Sequence, residues 1–396
     1  MPPPMPPSAH PPMPPPAHPS AQPPAHPPVL SPGQPMIPDP ARYGALVQSA
    51  FDAGRLSNSG PLHDRLERAL AARIKGGAVA LTSSGTMALM LALRLGQLPP
   101  GSEVITTPLS FAASLQAIEW CGLVPVLADV DPDCLTLCPG AVEAAITPRT
   151  SAILAVHFLG TTCRTDALAA IAARHGLWLV YDGAHAFGVQ AGGHDLGLAG
   201  DATAFSLHAT KLLHTGEGGL VVTRDPGHRP ALEGMRNFGL RDGQVAGPGI
   251  NGKMSELHAA MGLALLPDLE REITARAALS ARYTAGLSGL AAITIQRQRA
   301  GASTSLLYYS LRMAAGLKAR VLSELAAARI AARDGFALLG APGQRIHSLR
   351  TDPVAPALAP EVLCLPLHGR VSDPEADRII DIIRKCCHGQ SSGIAS

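Results

Sequence analysis

Apolar positions along the chain change period in a regular alternation. Short apolar runs end in turn residues and give way to stretches whose apolar positions recur at helical spacing. The runs Ala78–Ser83, Glu103–Thr106, Val124–Asp129, Ser151–His157, Leu177–Asp182 and Ala202–Leu207 predict strands. Between them Met87–Leu95, Ala112–Cys121, Gly140–Ile146 and Thr165–Arg174 predict helices. Strands alternating with helices imply a mostly parallel sheet covered on both faces, an open α/β domain.

Helices over Tyr43–Ala53 and Leu62–Ile74 precede this domain, and the strand Leu220–Thr223 with the segment Ile250–Leu266 closes it. A helix rich in alanine and arginine, Leu269–Leu290, leads out of it. The remainder of the chain predicts a smaller α+β domain with strands Ile293–Gln296, Leu306–Met313 and Val362–Leu367 and helices Leu317–Ala332 and Asp373–Cys386. Ser372 and Glu375 form a capping-box pair ahead of the last helix. The expected organisation is a disordered proline-rich tail (1–40), a large domain (41–268), a small C-terminal domain (269–388) and a frayed tail (389–396).

Composition narrows the function classes. At 396 residues and 46% hydrophobic content the chain can bury a large core, and its 32 basic and 30 acidic residues leave a net charge of +2. That balance gives no basic field for nucleic acid. No apolar run reaches the length of a membrane span, and a cytoplasmic protein is expected. The seven cysteines are odd in number and scattered, which fits reduced thiols. Cys134, Cys138, His157 and Cys163 match no zinc spacing, so no metal is expected there. In the tail, Ala-His-Pro recurs at Ala9, Ala17 and Ala25, and His10, His18 and His26 offer at most a weak metal set on a dispensable extension.

Candidate chemistry collects where strands end, because ligands of parallel α/β sheets sit at the carboxyl ends of strands. Lys211, one of only five lysines, stands among apolar and hydroxyl residues between a strand and the glycine-rich Gly216–Gly219. An amine held there loses hydration and becomes a nucleophile toward a carbonyl. Ser84-Gly85-Thr86, between a strand and a helix, is an anion cradle suited to phosphate. Asp182 ends a strongly apolar strand and needs a cation, for which a protonated pyridine nitrogen is one candidate, with His185 close by. Phe111 offers an aromatic face at another strand end, and Ser206 a second phosphate contact. Each residue alone also fits an ordinary structural role. Together they are the parts needed to hold pyridoxal phosphate. Nucleotide motifs fail: Gly216-Glu217-Gly218-Gly219 precedes a strand, and Gly252-Lys253 is followed by Met254, so neither a dinucleotide fingerprint nor a P-loop is present.

These segments, with Gly60-Pro61, Asp129-Val130-Asp131-Pro132, Asp182-Gly183-Ala184-His185, Arg236-Asn237-Phe238-Gly239 and Asn251–Glu256, occur in the order of a known family. The chain resembles, over residues 41 to 388, the pyridoxal-phosphate sugar aminotransferases of the DegT/DnrJ/EryC1/StrS type, within fold type I. The resemblance implies that Lys211 joins covalently to the cofactor, Asp182 keeps its ring nitrogen protonated and His185 stands near its phenolic oxygen. It implies that Phe111 stacks on the ring and that Gly85, Thr86 and Ser206 hold the phosphate. Asn251 matches an asparagine that reaches the phosphate across a dimer interface, which implies a homodimer with shared sites. The implied activity is amino transfer from a donor such as glutamate to a nucleotide-linked keto sugar, with a 4-keto-6-deoxy sugar favoured. Another cyclic ketone, such as a 3-keto sugar or an aminocyclitol precursor, is an alternative. A sugar dehydratase of the same family would carry histidine at Lys211, and a non-catalytic cofactor-binding protein would not need the full set. The chain departs from many relatives after the helix at Leu317, where Asp334-Gly335-Phe336-Ala337 replaces a His-Tyr-Pro element.

Overall fold

A computed structural model describes residues 30–340 and 344–388. Its central sheet has eight strands in the spatial order Ala78–Thr82, Gly219–Thr223, Ala202–Ser206, Trp178–Asp182, Thr150–Val156, Glu103–Thr106, Val124–Ala128, Ile346–His347. Gly219–Thr223 runs antiparallel to both neighbours, and the remaining pairs are parallel. Successive residues of a strand face opposite sides, so each strand feeds two cores. Val104, Leu154 and Val180 pack on one face with Leu91 and Ile118. Their neighbours Ile105, Ile153 and Leu179 pack on the other with Val142 and Leu168. This two-sided burial explains why the strands read as continuous apolar runs.

Local chemistry sets the helix ends that matter for the site. Ser84 caps the helix Gly85–Leu95, its hydroxyl accepting from the Met87 amide at 3.1 Å. The helix Pro61–Ile74 begins with proline after Gly60, and the buried carboxylate of Glu256 accepts from the Leu62 and His63 amides at 2.8 and 3.0 Å. A Cβ on Gly60 would stand 2.7 Å from the Glu256 carboxyl carbon, so only glycine lets that acid reach the helix end. At the last helix, Asp373–His388, the Ser372 amide donates to Glu375 at 2.8 Å, the predicted capping contact.

A second sheet, Ile293–Ile295, Tyr309–Met313 and Val362–Leu365, is antiparallel and packs with the helices Leu269–Leu287, Ala315–Ala327 and Asp373–His388 around Tyr283, Leu311 and Ile379. No helix among the described residues is long and apolar enough to cross a membrane.

Two of the expected boundaries move. Residues 1–29, with His10, His18 and His26, and residues 389–396 lie outside the described residues. Within the expected tail, however, Leu30 and Met36 are buried. The Leu30 carbonyl accepts from the Ala331 amide at 2.8 Å, and the Met36 carbonyl is bonded to His214 Nε2 at 2.8 Å. Leu30 belongs to the small-domain core and Met36 to the large-domain core, so residues 30–39 strap the two together. Proline richness conceals this, because a segment without its own periodicity can still be ordered by anchors supplied by other elements.

Nor is 269–388 a single unit. Leu338 bridges Leu109, the Leu339 amide donates to the Pro108 carbonyl at 2.8 Å, and Ile346–His347 joins the large sheet beside Val124–Ala128. Asp129 fastens this returning segment by accepting from Ser348 Oγ at 2.7 Å and from the Val354 and Ala355 amides at 2.7 and 2.9 Å. A two-residue strand has too little periodicity to be read from sequence.

Candidate functional site

The site is built on the carboxyl ends of the strands Ala202–Ser206 and Trp178–Asp182 and on the turn after Ala78–Thr82. The chain after Ser206 folds into a tight loop, with the Leu207 amide donating to Gly218 and the Ala209 amide to Gly216 at 2.8 and 2.7 Å. That loop holds Lys211 half-buried. Burial lowers the Lys211 pKa from its usual value near 10.5 to about 8; the Arg333 charge pushes the same way, and Asp182 opposes them.

Asp182 is 5% exposed. Its Oδ2 accepts from Ser114 Oγ at 2.7 Å and its Oδ1 from the Ala184 amide at 2.9 Å. Ser114 is in turn bonded to Ser110 at 2.7 Å, so the loop carrying Phe111 is tied to the acid. Burial raises the Asp182 pKa, while Ser114, the Ala184 amide and Lys211 pull it back. A carboxylate so placed keeps its charge best when a cation lies against it.

His185 is buried, and its Nδ1 has no partner among the described residues. Burial, with the charges of Lys211 and Arg333, lowers its pKa well below the usual value, so the ring is neutral. Its carbonyl accepts from Ser305 Oγ at 2.7 Å. Phe158, Tyr308 and Phe336 surround the ring with centroids 6.3, 5.2 and 5.6 Å away.

The anion cradle is assembled by close backbone approach. A Cβ on Gly85 would meet Ser206 Cβ at 2.8 Å, and one on Gly219 would meet the Ser84 carbonyl oxygen at 2.5 Å. Glycine at both positions brings Ser206 against the first turn of Gly85–Leu95, whose Gly85 and Thr86 amides have no acceptor within the helix. Phe111 caps the helix Ala112–Trp120 and is 62% exposed, leaving a ring face open at the strand ends. Asn251 is exposed in a bridge with Asn237, one residue before Gly252, whose carbonyl accepts from the Ser83 amide at 2.8 Å. Thus Gly85 and Ser206 meet, Asp182 and His185 share the field of Lys211, and Phe111 and Asn251 stand at the exposed rim.

Sequence reading missed Ser114, Tyr308 and Arg333. Ser114 follows Ser110 by one helical turn, a spacing that could have marked it. Arg333 carries no local motif. Its backbone pairs with Cys364 in both directions, at 2.9 and 3.0 Å, and its guanidinium lies 3.9 Å over the Phe336 ring. It has no ion-pair partner among the described residues. No group of three metal-ligating side chains occurs among the described residues either, and Cys163 instead donates its amide to His157 Nδ1 at 3.1 Å.

The residues fit pyridoxal phosphate on four counts: a glycine-lined anion turn, a buried acid that calls for a cation, an orphaned His185 nitrogen and an amine of lowered pKa. A separate apolar cleft of about 730 Å3 lies between the helix Gly85–Leu95 and residues 246–250, lined by Met90, Leu98, Met235 and Ile250 and by Trp120, which is 74% exposed.

The profile of the DegT/DnrJ/EryC1/StrS aminotransferase family matches residues 41–384. The chain is 32% identical over 356 residues, 87% of its length and 95% of the relative's, to a dTDP-4-amino-4,6-dideoxy-D-glucose transaminase of Escherichia coli. It is 33% identical over 307 residues, 75% of its length and 82% of the relative's, to a GDP-perosamine synthase of Caulobacter vibrioides. Among solved structures, that of DesI in the presence of its TDP-sugar product superposes with a TM-score of 0.84 at 33% identity, over 92% of this chain and 94% of that one.

Proposed function

This chain belongs to the DegT/DnrJ/EryC1/StrS aminotransferase family and is a sugar aminotransferase, and from that premise we propose that it uses pyridoxal phosphate at Lys211 to pass an amino group from glutamate to a dTDP-linked 4-keto-6-deoxyhexose. The observation that carries the reading is the half-buried Lys211 amine facing the field of the buried Asp182 beside the Gly85–Ser206 cradle. The names of the Escherichia coli relative and of DesI, both of dTDP or TDP sugars, support the nucleotide; the GDP-sugar relative marks the alternative. The seven free cysteines accord with a cytoplasmic protein.

Bound pyridoxal phosphate supplies an aldehyde carbon that joins to amines and a pyridinium ring that draws electrons from the donor's α-carbon. The Gly85 and Thr86 amides and Ser206 hold its phosphate, and Phe111 covers its ring. Asp182 holds a proton on the ring nitrogen by charge. His185 bonds the phenolic oxygen as a neutral ring. Lys211 Nζ, neutral above about pH 8, takes the proton from the donor's α-carbon and later returns one. Arg333, a guanidinium without a carboxylate partner whose charge reaches Lys211, binds the donor's carboxylate.

The test is a titration of the holoprotein followed by its cofactor absorption. Glutamate should convert the band, and the keto sugar should restore it. Arg333→Ala should raise the KM for glutamate roughly 10- to 100-fold, the worth of a charge-assisted pair, with little change for the sugar. Failure of glutamate and of a panel of other amino donors to move the band would overturn the assignment.

The exposed rim bears on assembly. Trp120 and Ile250, 74% and 43% exposed, line the apolar cleft, and Ile250 directly precedes Asn251. A second copy covering this face gives a homodimer in which Asn251 reaches the partner's phosphate turn. Trp120→Glu should then shift the mass measured by light scattering from dimer toward monomer. A wild-type chain that is monomeric at micromolar concentration would remove the proposal.

A further inference from the structure

The motif Arg236-Asn237-Phe238-Gly239 and the helix Pro61–Ile74 contribute a buried ion pair, Arg236 with Glu67, that no step of the amino transfer uses. We infer that Glu67 and Arg236 are positioning residues for the cofactor's phosphate, holding the turn Ser83–Gly85 from behind the strand that leads into it. This assignment rests on the reading of that turn as the phosphate site, and its test separates the two.

The strand Ala78–Thr82 stands at the border of the large sheet, with Gly219–Thr223 on one side and, among the described residues, no strand on the other. Its outward backbone groups therefore need side-chain partners. At Leu81 both groups find one. The Leu81 amide donates to Glu67 Oε2 at 3.0 Å, and the Leu81 carbonyl accepts from Arg236 Nη1 at 2.9 Å. The same Arg236 nitrogen donates to Glu67 Oε2 at 2.7 Å, which closes a ring of three bonds around one residue. Carboxylate and guanidinium thus serve Leu81 as a neighbouring strand would, just ahead of Ser83.

A second path runs through the backbone of the same arginine. The Arg236 carbonyl accepts from the Gly252 amide at 2.9 Å, and the Gly252 carbonyl accepts from the Ser83 amide at 2.8 Å. Arg236 therefore holds the approach to the turn twice, at Leu81 by its side chain and at Ser83 by its backbone, and the loop that carries Asn251 hangs on the second of these paths. Groups that bind a ligand must be kept within roughly 0.5 Å of their productive positions. Gly85, pressed against Ser206, has no side chain with which to anchor itself.

The pair is built to be rigid. Glu67 and Arg236 are 3% and 4% exposed. Burial alone would raise the Glu67 pKa, but the Arg236 charge and the bonds from Arg236 and the Leu81 amide bring it below the usual value, so the acid is ionised. Arg229 Nη2 occupies the other carboxylate oxygen at 2.7 Å. His63 Nε2 lies 3.8 Å from Glu67, and burial together with the Arg236 charge lowers its pKa, which keeps the ring neutral. Loss of either charged partner strands the other in a dry site and frees Leu81.

The experiment titrates the full-length apoprotein with pyridoxal phosphate and with pyridoxal, which differ in the phosphoryl group, each followed by the absorption band it forms with the protein. Wild type should prefer the phosphorylated ligand. In Arg236→Met that preference should fall about tenfold, the order lost when the outer support of a bound group is removed, while pyridoxal affinity changes less than twofold. Glu67→Gln, which keeps the side-chain volume, should give the same selective loss and serves where Arg236→Met does not fold. Arg236→Lys should restore most of the preference, because a single nitrogen makes both side-chain bonds of Arg236. Circular dichroism should match wild type for each variant used. An unchanged preference would overturn the assignment, and so would an equal loss for both ligands, the mark of a general support of the fold. A wild type that binds the two ligands equally would overturn the phosphate turn itself, and this inference with it.

Discussion

Lys211→Ala is expected to leave a folded protein whose amino-transfer rate is lower by about 10^4-fold or more, since it removes both the nucleophile and the proton carrier. The same variant should bind pyridoxal phosphate without the covalent band and fail to lock the cofactor on borohydride reduction. The half-buried position makes the loss chemical instead of structural, which the urea midpoint checks. The amine also sets a pH dependence. With its pKa at about 8, wild-type Lys211 is mostly protonated below that value, so cofactor uptake by the apoprotein should rise with pH and level off above it. Arg333 disfavours the ammonium form, so Arg333→Ala should move the inflection to higher pH; Asp182 favours it. For stability the sign is the same, because the unfolded chain keeps the proton to about 10.5: the cost of burying the charge is relieved as pH rises from about 8 toward that value. An inflection unmoved by Arg333→Ala would show that the two charges do not interact.

Asp182→Asn should cost about 10^3-fold in turnover while keeping the Ser114 and Ala184 contacts in near-isosteric form. The lost quantity is charge: the amide no longer holds a proton on the ring nitrogen, so the effect should fall on turnover far more than on the KM for glutamate. The Lys211 inflection should move to lower pH, because an attractive charge has gone. Retention of more than a tenth of wild-type turnover would mean that the ring nitrogen is not what Asp182 serves. Asp182→Ala would be less informative, because it strands the Ser114 hydroxyl in a buried site.

Most of the large sheet was legible because buried parallel strands are continuous apolar runs bounded by turns, and each predicted strand lies within a residue or two of its observed ends. The positions of the candidate residues Asp182 and Ser206 at strand ends were legible for the same reason, since the apolar run stops there. Arg333 and Tyr308 were not, since their positions depend on how the small domain leans on the large one. The return of Ile346–His347 and the docking of Leu30 and Met36 were hidden by the same cause, contacts between residues far apart in the chain.

The returning segment also has a history during synthesis. While the ribosome is still making the last third of the chain, the strand Val124–Ala128 forms one border of the growing sheet with its outer backbone groups unpaired. They stay so until residue 347 has cleared the exit tunnel, some two hundred residues later. Unpaired strand borders are templates for pairing with other nascent chains. This protein therefore carries a long interval of vulnerability during synthesis, and chains truncated before residue 330 should aggregate more readily through that border than the full-length chain.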